Sequence, residues 1–254
     1  MKHCVFLLLA CCFALTGCTT FPKGYGVFSD LTKSQLSRME DYGMVIIDPQ
    51  LIGHEGIKIL QQDSTFAYAY MDIASSHTSN PNQPFEAGTI SYDPQRRVMW
   101  MNVGDPLWVH SVLLKAKTYS DMGVDGFFID GCDEYTTKPY DVIFNNLVSL
   151  IKEISGYGKP VIIHNGDVFV KKLLESKENA TLIHGICQDC VFTNQQYGMN
   201  RESDTAYYQD YLRTCSSKGL SVYMVEYGIP QNTINAFAGS HGYHLFYTTP
   251  TQLN

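Results

Sequence analysis

Short apolar runs rich in β-branched and aromatic residues recur along the chain, each broken by Gly, Pro, Asn or Asp. Eight of them read as strands: residues 44–48, 66–73, 98–103, 125–130, 161–164, 182–187, 221–226 and 243–247. Their continuous apolar character suits strands buried on both faces. Between them the period becomes helical. Asp105-Pro106 reads as a cap followed by proline in the first turn, and Trp108, Val112, Ala116 and Tyr119 then share one face. After Pro139, residues Ile143, Leu147, Leu150, Ile151 and Ile154 recur at helical spacing until Gly156, Gly158 and Pro160 stop them. Tyr208, Leu212 and Cys215 form a third stripe closed by Gly219, and helices are also expected after Gly166 and Pro230.

This alternation predicts an α/β fold, a parallel (β/α)8 TIM barrel, with an open doubly wound sheet as the other architecture it permits. Residues 29–43 read as a leading helix, and the tail after Tyr247 is too short for a full eighth helix. No linker, charge run or repeat divides residues 29–254, so they are expected to form one domain.

The first residues follow a different pattern. Lys2 precedes an apolar run from Val5 to Leu15, too short for an ordinary membrane span and typical of a signal peptide. Leu15-Thr16-Gly17-Cys18 resembles the bacterial lipoprotein lipobox. The resemblance implies removal of residues 1–17, lipid on Cys18, a short tether over 18–28, and an exported, membrane-anchored protein of the bacterial cell envelope. Thr19 after the lipidated cysteine leans towards the outer membrane.

Composition narrows the partners. The formal charge is −7, and becomes −8 when Lys2 is removed with the signal. An acidic body argues against nucleic acid and suits a cationic ligand. Aromatic residues make up 13% of the chain, with 17 Tyr, enough to furnish sugar platforms as well as core. Of eight cysteines, Cys132, Cys187, Cys190 and Cys215 remain after Cys18. In an exported chain these suggest one or two disulfides or structural thiols rather than a metal centre. His241-Gly-Tyr-His244 is a weak metal spacing, and no phosphate loop, serine elbow or dinucleotide fingerprint occurs. No metal or cofactor is expected.

Candidate chemistry lies where the strands end. Asp48, Asp72, Asn102, Asp130, His164-Asn165, Asp189 and Glu226-Tyr227 stand at or just beyond successive strand ends, the place where barrels build their sites. Capping explains any one of them, Asp48 before Pro49 above all. As an ensemble they suggest a cleft, because converging carboxylates are costly without a use. Asp133 and Glu134 follow Asp130 in the next loop.

The stretch Gly123-Val-Asp-Gly-Phe-Phe-Ile-Asp130 resembles the fourth-strand motif of glycoside hydrolase family 114, the endo-α-1,4-polygalactosaminidases. So do YGMVIIDP at 42–49, HNGD at 164–167 and VYMVEYG at 222–228, in matching order over most of residues 40–247. The resemblance implies a TIM barrel that hydrolyses galactosamine-rich polymers, with catalytic acids at Asp130 and Asp189. This chain departs from the family in having Asp at 189 instead of the usual Glu, and Ala74-Ser75 where Gly-Glu is usual after strand two.

The expected activity is therefore glycoside hydrolysis of a cationic amino-sugar polysaccharide. Asp130 would be the ionised carboxylate and Asp189 the proton donor. Asp48, Tyr70, Asp72, Asp133, Glu134, Asn165, Glu226 and Tyr227 are the expected substrate-binding residues, with Trp100 and Tyr135 as further platforms. The other class of function is a catalytically impaired barrel serving as a carbohydrate-binding or envelope-structural lipoprotein.

Overall fold

The computed structural model describes residues 23–77, 89–93 and 98–248. The chain begins with strand β1 (Gly24–Phe28), a 3-10 helix (Lys33–Met39), β2 (Tyr42–Ile47), α1 (Pro49–Gln62) and β3 (Phe66–Asp72). An antiparallel excursion follows, made of β4 (Ser75–His77), β5 (Thr89–Asp93) and β6 (Val98–Met101) in the order β4-β6-β5. The main pattern resumes with α2 (Pro106–Asp121), β7 (Gly126–Asp130), α3 (Glu134–Thr137), α4 (Asp141–Ser155) and β8 (Val161–His164). It continues with α5 (Asp167–Leu173), α6 (Lys177–Ala180), β9 (Gly185–Asp189), α7 (Glu202–Ser217), β10 (Ser221–Tyr227), α8 (Asn232–His241) and β11 (His244–Thr248).

The eight strands β1-β2-β3-β7-β8-β9-β10-β11 lie side by side in that order, each parallel to its neighbour. β1 and β11 also pack together, so the sheet curls into a nearly closed TIM barrel.

Alternation along each strand divides the core in two. Val45, Ile47, Ala69, Met71, Phe127, Ile129, Ile163 and Met224 face the helices. Tyr25, Met44, Ile46, Tyr68, Phe128, Ile162, Cys187, Tyr223, Val225 and Phe246 fill the interior. Burial on both faces explains why the strands read as unbroken apolar runs. The interior is crowded with rings, and Gly126 makes room for one: a Cβ there would lie 2.2 Å from the Tyr68 ring. The expected helix caps and stripes are present. Asp105 accepts from the amides of Leu107 and Trp108, and Ile143, Leu147, Leu150, Ile151 and Ile154 are all buried.

Four expectations need correction. Residues 98–103 carry β6, the middle strand of the excursion, not a barrel strand; periodicity reports burial and not sheet membership. The barrel strand that completes the eight is β1, the first in the chain, within the segment expected to be tether. It escaped notice because its glycines read as loop, although Gly26 is packed against the Phe28 ring. The leading helix is a 3-10 turn between β1 and β2. The sixth barrel strand runs to Asp189, so that residue ends the strand instead of following it. With β1 restored and β6 removed, β7 is still the fourth strand, and Ala74-Ser75 follows the third. All four described cysteines are free thiols. Cys18 and the tail beyond Thr248 lie outside the described residues.

Candidate active site

The inward side chains at the carboxyl ends of β3, β7, β8 and β9 form one connected group. Asp72 and Asp130 are register partners across β3 and β7. The Tyr70 hydroxyl donates to Asp130 Oδ2 at 2.7 Å, and the Gly131 amide donates to Oδ1 at 2.7 Å. His164, at the end of β8, lies between two carboxylates. Its Nε2 is 2.8 Å from Asp189 Oδ1. Its Nδ1 is 3.1 Å from Asp130 Oδ2, an ion-pair distance but out of line for a hydrogen bond. The ring packs against Phe128 at 5.0 Å between centroids. One imidazole thus spans the gap between Asp130 and Asp189.

Second contacts fix this geometry. Asn165, at φ 54°, accepts at Oδ1 from the Asp189 amide and from Gln188 Nε2, both at 3.0 Å. Asp72 accepts from the amides of Ala74 and Ser75 at 2.9 and 2.7 Å, and from the Ser75 hydroxyl. Gly131 has φ 92°, and a Cβ on it would lie 2.7 Å from Asp72 Oδ1. Only glycine lets the chain leave β7 this close to the acid.

The electrostatics divide the acids. Burial alone would raise the Asp130 carboxyl; the positive charge of His164, aided by Tyr70 and Gly131, outweighs it and brings the pKa down to about 2. Asp72 goes the other way. Burial, then the charge of Asp130, push it up to about 7 against the pull of its three donors. Burial works against a charged His164, yet the fields of Asp189 and Asp130 hold its pKa well above the ordinary histidine value. Tyr70 is raised by burial and by Asp130, and so stays a hydrogen-bond donor. Burial likewise raises the thiols of Cys132 and Cys187, which leaves them protonated and poor nucleophiles. A ring nitrogen of His164, Cys187 Sγ and an Asp189 oxygen fall within 4.8 Å of one another, donors of the kind that zinc takes.

Of the residues expected to form the site, Asp130, Asp189, Asp72 and Tyr70 come together as described. Tyr227 joins them from β10: it faces the interior, is 5% exposed, and feels the charge of Asp189. Asn165 is present as a support and not as a wall. Asp48, half-buried, is engaged as the cap of α1, accepting from the Gln50 amide at 2.9 Å and the Tyr119 hydroxyl at 2.8 Å. Glu226 is displaced from its expected role. Val225 and Tyr227 face inward, so Glu226 points out. It is 0% exposed, and its carboxylate is held by the amides of Phe192 and Thr193 and by the Thr193 hydroxyl. Glu134 is buried in α3 with Oε1 3.4 Å from Lys138, and Asp133, half-buried, precedes it. Tyr135 packs on Phe144 and Phe169 and is core. Trp100 stands half-buried on β6, in the excursion.

The residue that sequence reading did not assign is His164. Its signal was its position as the last residue of β8, but a lone histidine does not reveal two acids on either side of it.

No protein-family model matches the chain, and no curated protein matches it. Solved structures do. The glycoside hydrolase domain of PelA from Pseudomonas aeruginosa, in a variant form, superposes with a TM-score of 0.77 at 14% identity, over 91% of this chain and 96% of that one. Aspergillus fumigatus Ega3, in complex with galactosamine, gives 0.68 at 14% identity, over 92% and 94%. An α-galactosidase from Thermus thermophilus gives 0.61 at 9% identity, over 92% of this chain and 59% of that one. At these identities the likeness is one of fold: the chain is a TIM barrel of the kind that carries glycoside hydrolase domains.

Proposed function

We propose that this protein is a glycoside hydrolase that cleaves an α-linked, galactosamine-type polysaccharide. The observation that carries the reading is the Asp130–His164–Asp189 chain at the carboxyl ends of the barrel strands. Glycoside cleavage needs one negative carboxylate near the anomeric carbon and one available proton for the leaving oxygen. Asp130, held ionised, suits the first task. The His164–Asp189 pair suits the second, since Nε2 of a protonated His164 would hold its proton 2.8 Å from the Asp189 carboxylate. Giving that proton to the glycosidic oxygen as the C–O bond breaks leaves a neutral imidazole facing a carboxylate. Its remaining N–H is on Nδ1, towards Asp130. The proton released by the attacking water restores the pair.

The substrate class is supported by the acidic mouth, by the family resemblance of the strand motifs, and by the fold shared with a protein solved with galactosamine. A lipid anchor at Cys18 is part of the proposal, resting on the Leu15–Cys18 sequence. Among the described residues no helix is long and apolar enough to cross a membrane.

A second reading, a barrel that binds the polymer without cutting it, is favoured by one observation: the same imidazole engages both carboxylates. Incubating the wild-type protein with α-1,4-linked galactosamine polymers of varied N-acetylation, and with β-linked chitosan as control, separates the two. New reducing ends from the α-linked polymers alone are expected. Binding without any new ends supports the second reading. For the anchor, Cys18→Ser is expected to move the protein from the membrane to the soluble fraction. An unlipidated mature amino terminus at another position would reject it.

A further inference from the structure

Four non-glycine residues hold a positive φ among the described residues: Ser64, Asn165, Cys190 and Tyr197. Three of them lie in the loops that follow β8 and β9. Asn165 and Cys190 directly follow His164 and Asp189, so their conformations belong to the site already described. Tyr197 does not. It sits in the loop from β9 to α7 at φ 63° with 52% of its surface exposed. A bulky side chain in the left-handed region, with its ring in solvent, gains neither backbone ease nor full burial.

The loop nevertheless fixes it there. Asn194 Oδ1 accepts from the amides of Gln196 and Gly198, both at 3.0 Å, and the Tyr197 amide donates to Asn194 O at 2.9 Å. The base of the loop is tied beside Asp189: Asn200 Nδ2 donates to Cys190 O at 2.5 Å, and the Cys190 amide donates to Val225 O at 3.0 Å. Beside it, at the end of the neighbouring strand β10, a Cβ on Gly228, the residue after Tyr227, would lie 3.4 Å from Tyr197 Cδ1. Gly228, at φ 108°, lets the ring lie against bare backbone there. Gln195 stands beside the Tyr227 hydroxyl. Ile229, 80% exposed, directly follows Gly228, and Met199, 57% exposed, stands two residues after Tyr197.

We propose that Tyr197 is a sugar-stacking platform, the outer wall of a subsite for the pyranose on the Asp189 side of the bond that is cleaved. The apolar C–H face of the sugar would rest on the ring, with its amino and hydroxyl groups turned towards the acids of the interior. This inference rests on the glycoside hydrolase reading. A single rigid ring on the loop that leaves β9 at Asp189, packed against the residue after Tyr227, suits a sugar.

The test uses α-1,4-linked galactosamine oligosaccharides titrated calorimetrically into an Asp130→Asn protein, in which turnover is expected to be slow enough for binding to be read. In that background Tyr197→Phe is expected to bind like the parent. Tyr197→Ala and Tyr197→Gly are expected to bind roughly three- to tenfold more weakly. Tyr197→Gly should at the same time match or exceed the parent in Tm, because glycine adopts φ 63° without strain. Binding of Tyr197→Ala equal to Tyr197→Phe would overturn the platform and leave the hydrolase reading intact. Weaker binding accompanied by a lower Tm in the Gly variant would also overturn it, since the ring would then be a structural part of the loop. A parent that binds no oligosaccharide would overturn both readings.

Discussion

Asp72 and Asp130 are register partners on adjacent strands, yet one carboxyl is pushed up to about 7 and the other drawn down to about 2. The cause is the position of one cation. His164 touches Asp130, whereas at Asp72 burial and the negative charge of its neighbour outweigh its three hydrogen-bond donors. Two adjacent acids with opposite displacements are the pattern expected where one must remain ionised and the other can hold a proton.

Asp72 therefore carries a cost at neutral pH. Its folded pKa is raised above the unfolded value, so folding loses stability as pH rises from about 4 to about 7, and the full penalty remains above that. Asp72→Asn keeps an acceptor oxygen for the amides of Ala74 and Ser75. It is expected to be more stable than wild type by on the order of 1–3 kcal/mol at pH 8, with little difference at pH 4. Urea unfolding at the two pH values checks this. Equal shifts at both would refute the assignment.

His164 makes the opposite contribution. Its folded pKa is raised, so its stabilisation is fully present below the unfolded histidine value and is lost as pH rises through the folded one. His164→Gln leaves two acids without their shared cation. It is expected to lower stability by about 3 kcal/mol at pH 6, the scale of breaking a buried ion pair, with a smaller deficit at high pH. The same variant should lose the basic limb of the pH–rate profile. A deficit independent of pH would mean that the ring acts by packing alone.

Much of this was legible from the chain. Seven of the eight barrel strands are apolar on both faces, and such runs cannot be hidden. β1 was hidden because its two glycines read as loop, although Gly26 makes room for the Phe28 and Tyr42 rings and not for a turn. Asp130 was legible because its motif compresses a strand and its exit into eight residues. The roles of Asp48 and Glu226 were not. Both stand at strand ends, but which way a terminal side chain turns depends on partners distant in sequence, Tyr119 for one and the Phe192-Thr193 amides for the other.

Glu226 offers a direct check on that distinction. Glu226→Ala removes the acceptor for the amides of Phe192 and Thr193, and unsatisfied buried donors cost about 1–3 kcal/mol. The expected result is a lower Tm with unchanged affinity for galactosamine oligosaccharides in the folded protein. Loss of affinity at full stability would restore Glu226 to the binding site.

The central claim is that Asp130 supplies the negative charge for glycosidic cleavage. The most direct measurement is kcat/KM for release of reducing ends from an α-1,4-linked galactosamine polymer, compared between wild type and Asp130→Asn, with oligosaccharide affinity measured on the same two proteins. Loss of such a group is expected to lower turnover by ~10²–10⁴-fold while affinity changes by only a few fold. Cleavage by Asp130→Asn at the wild-type rate, or loss of affinity as large as the loss of turnover, would contradict it.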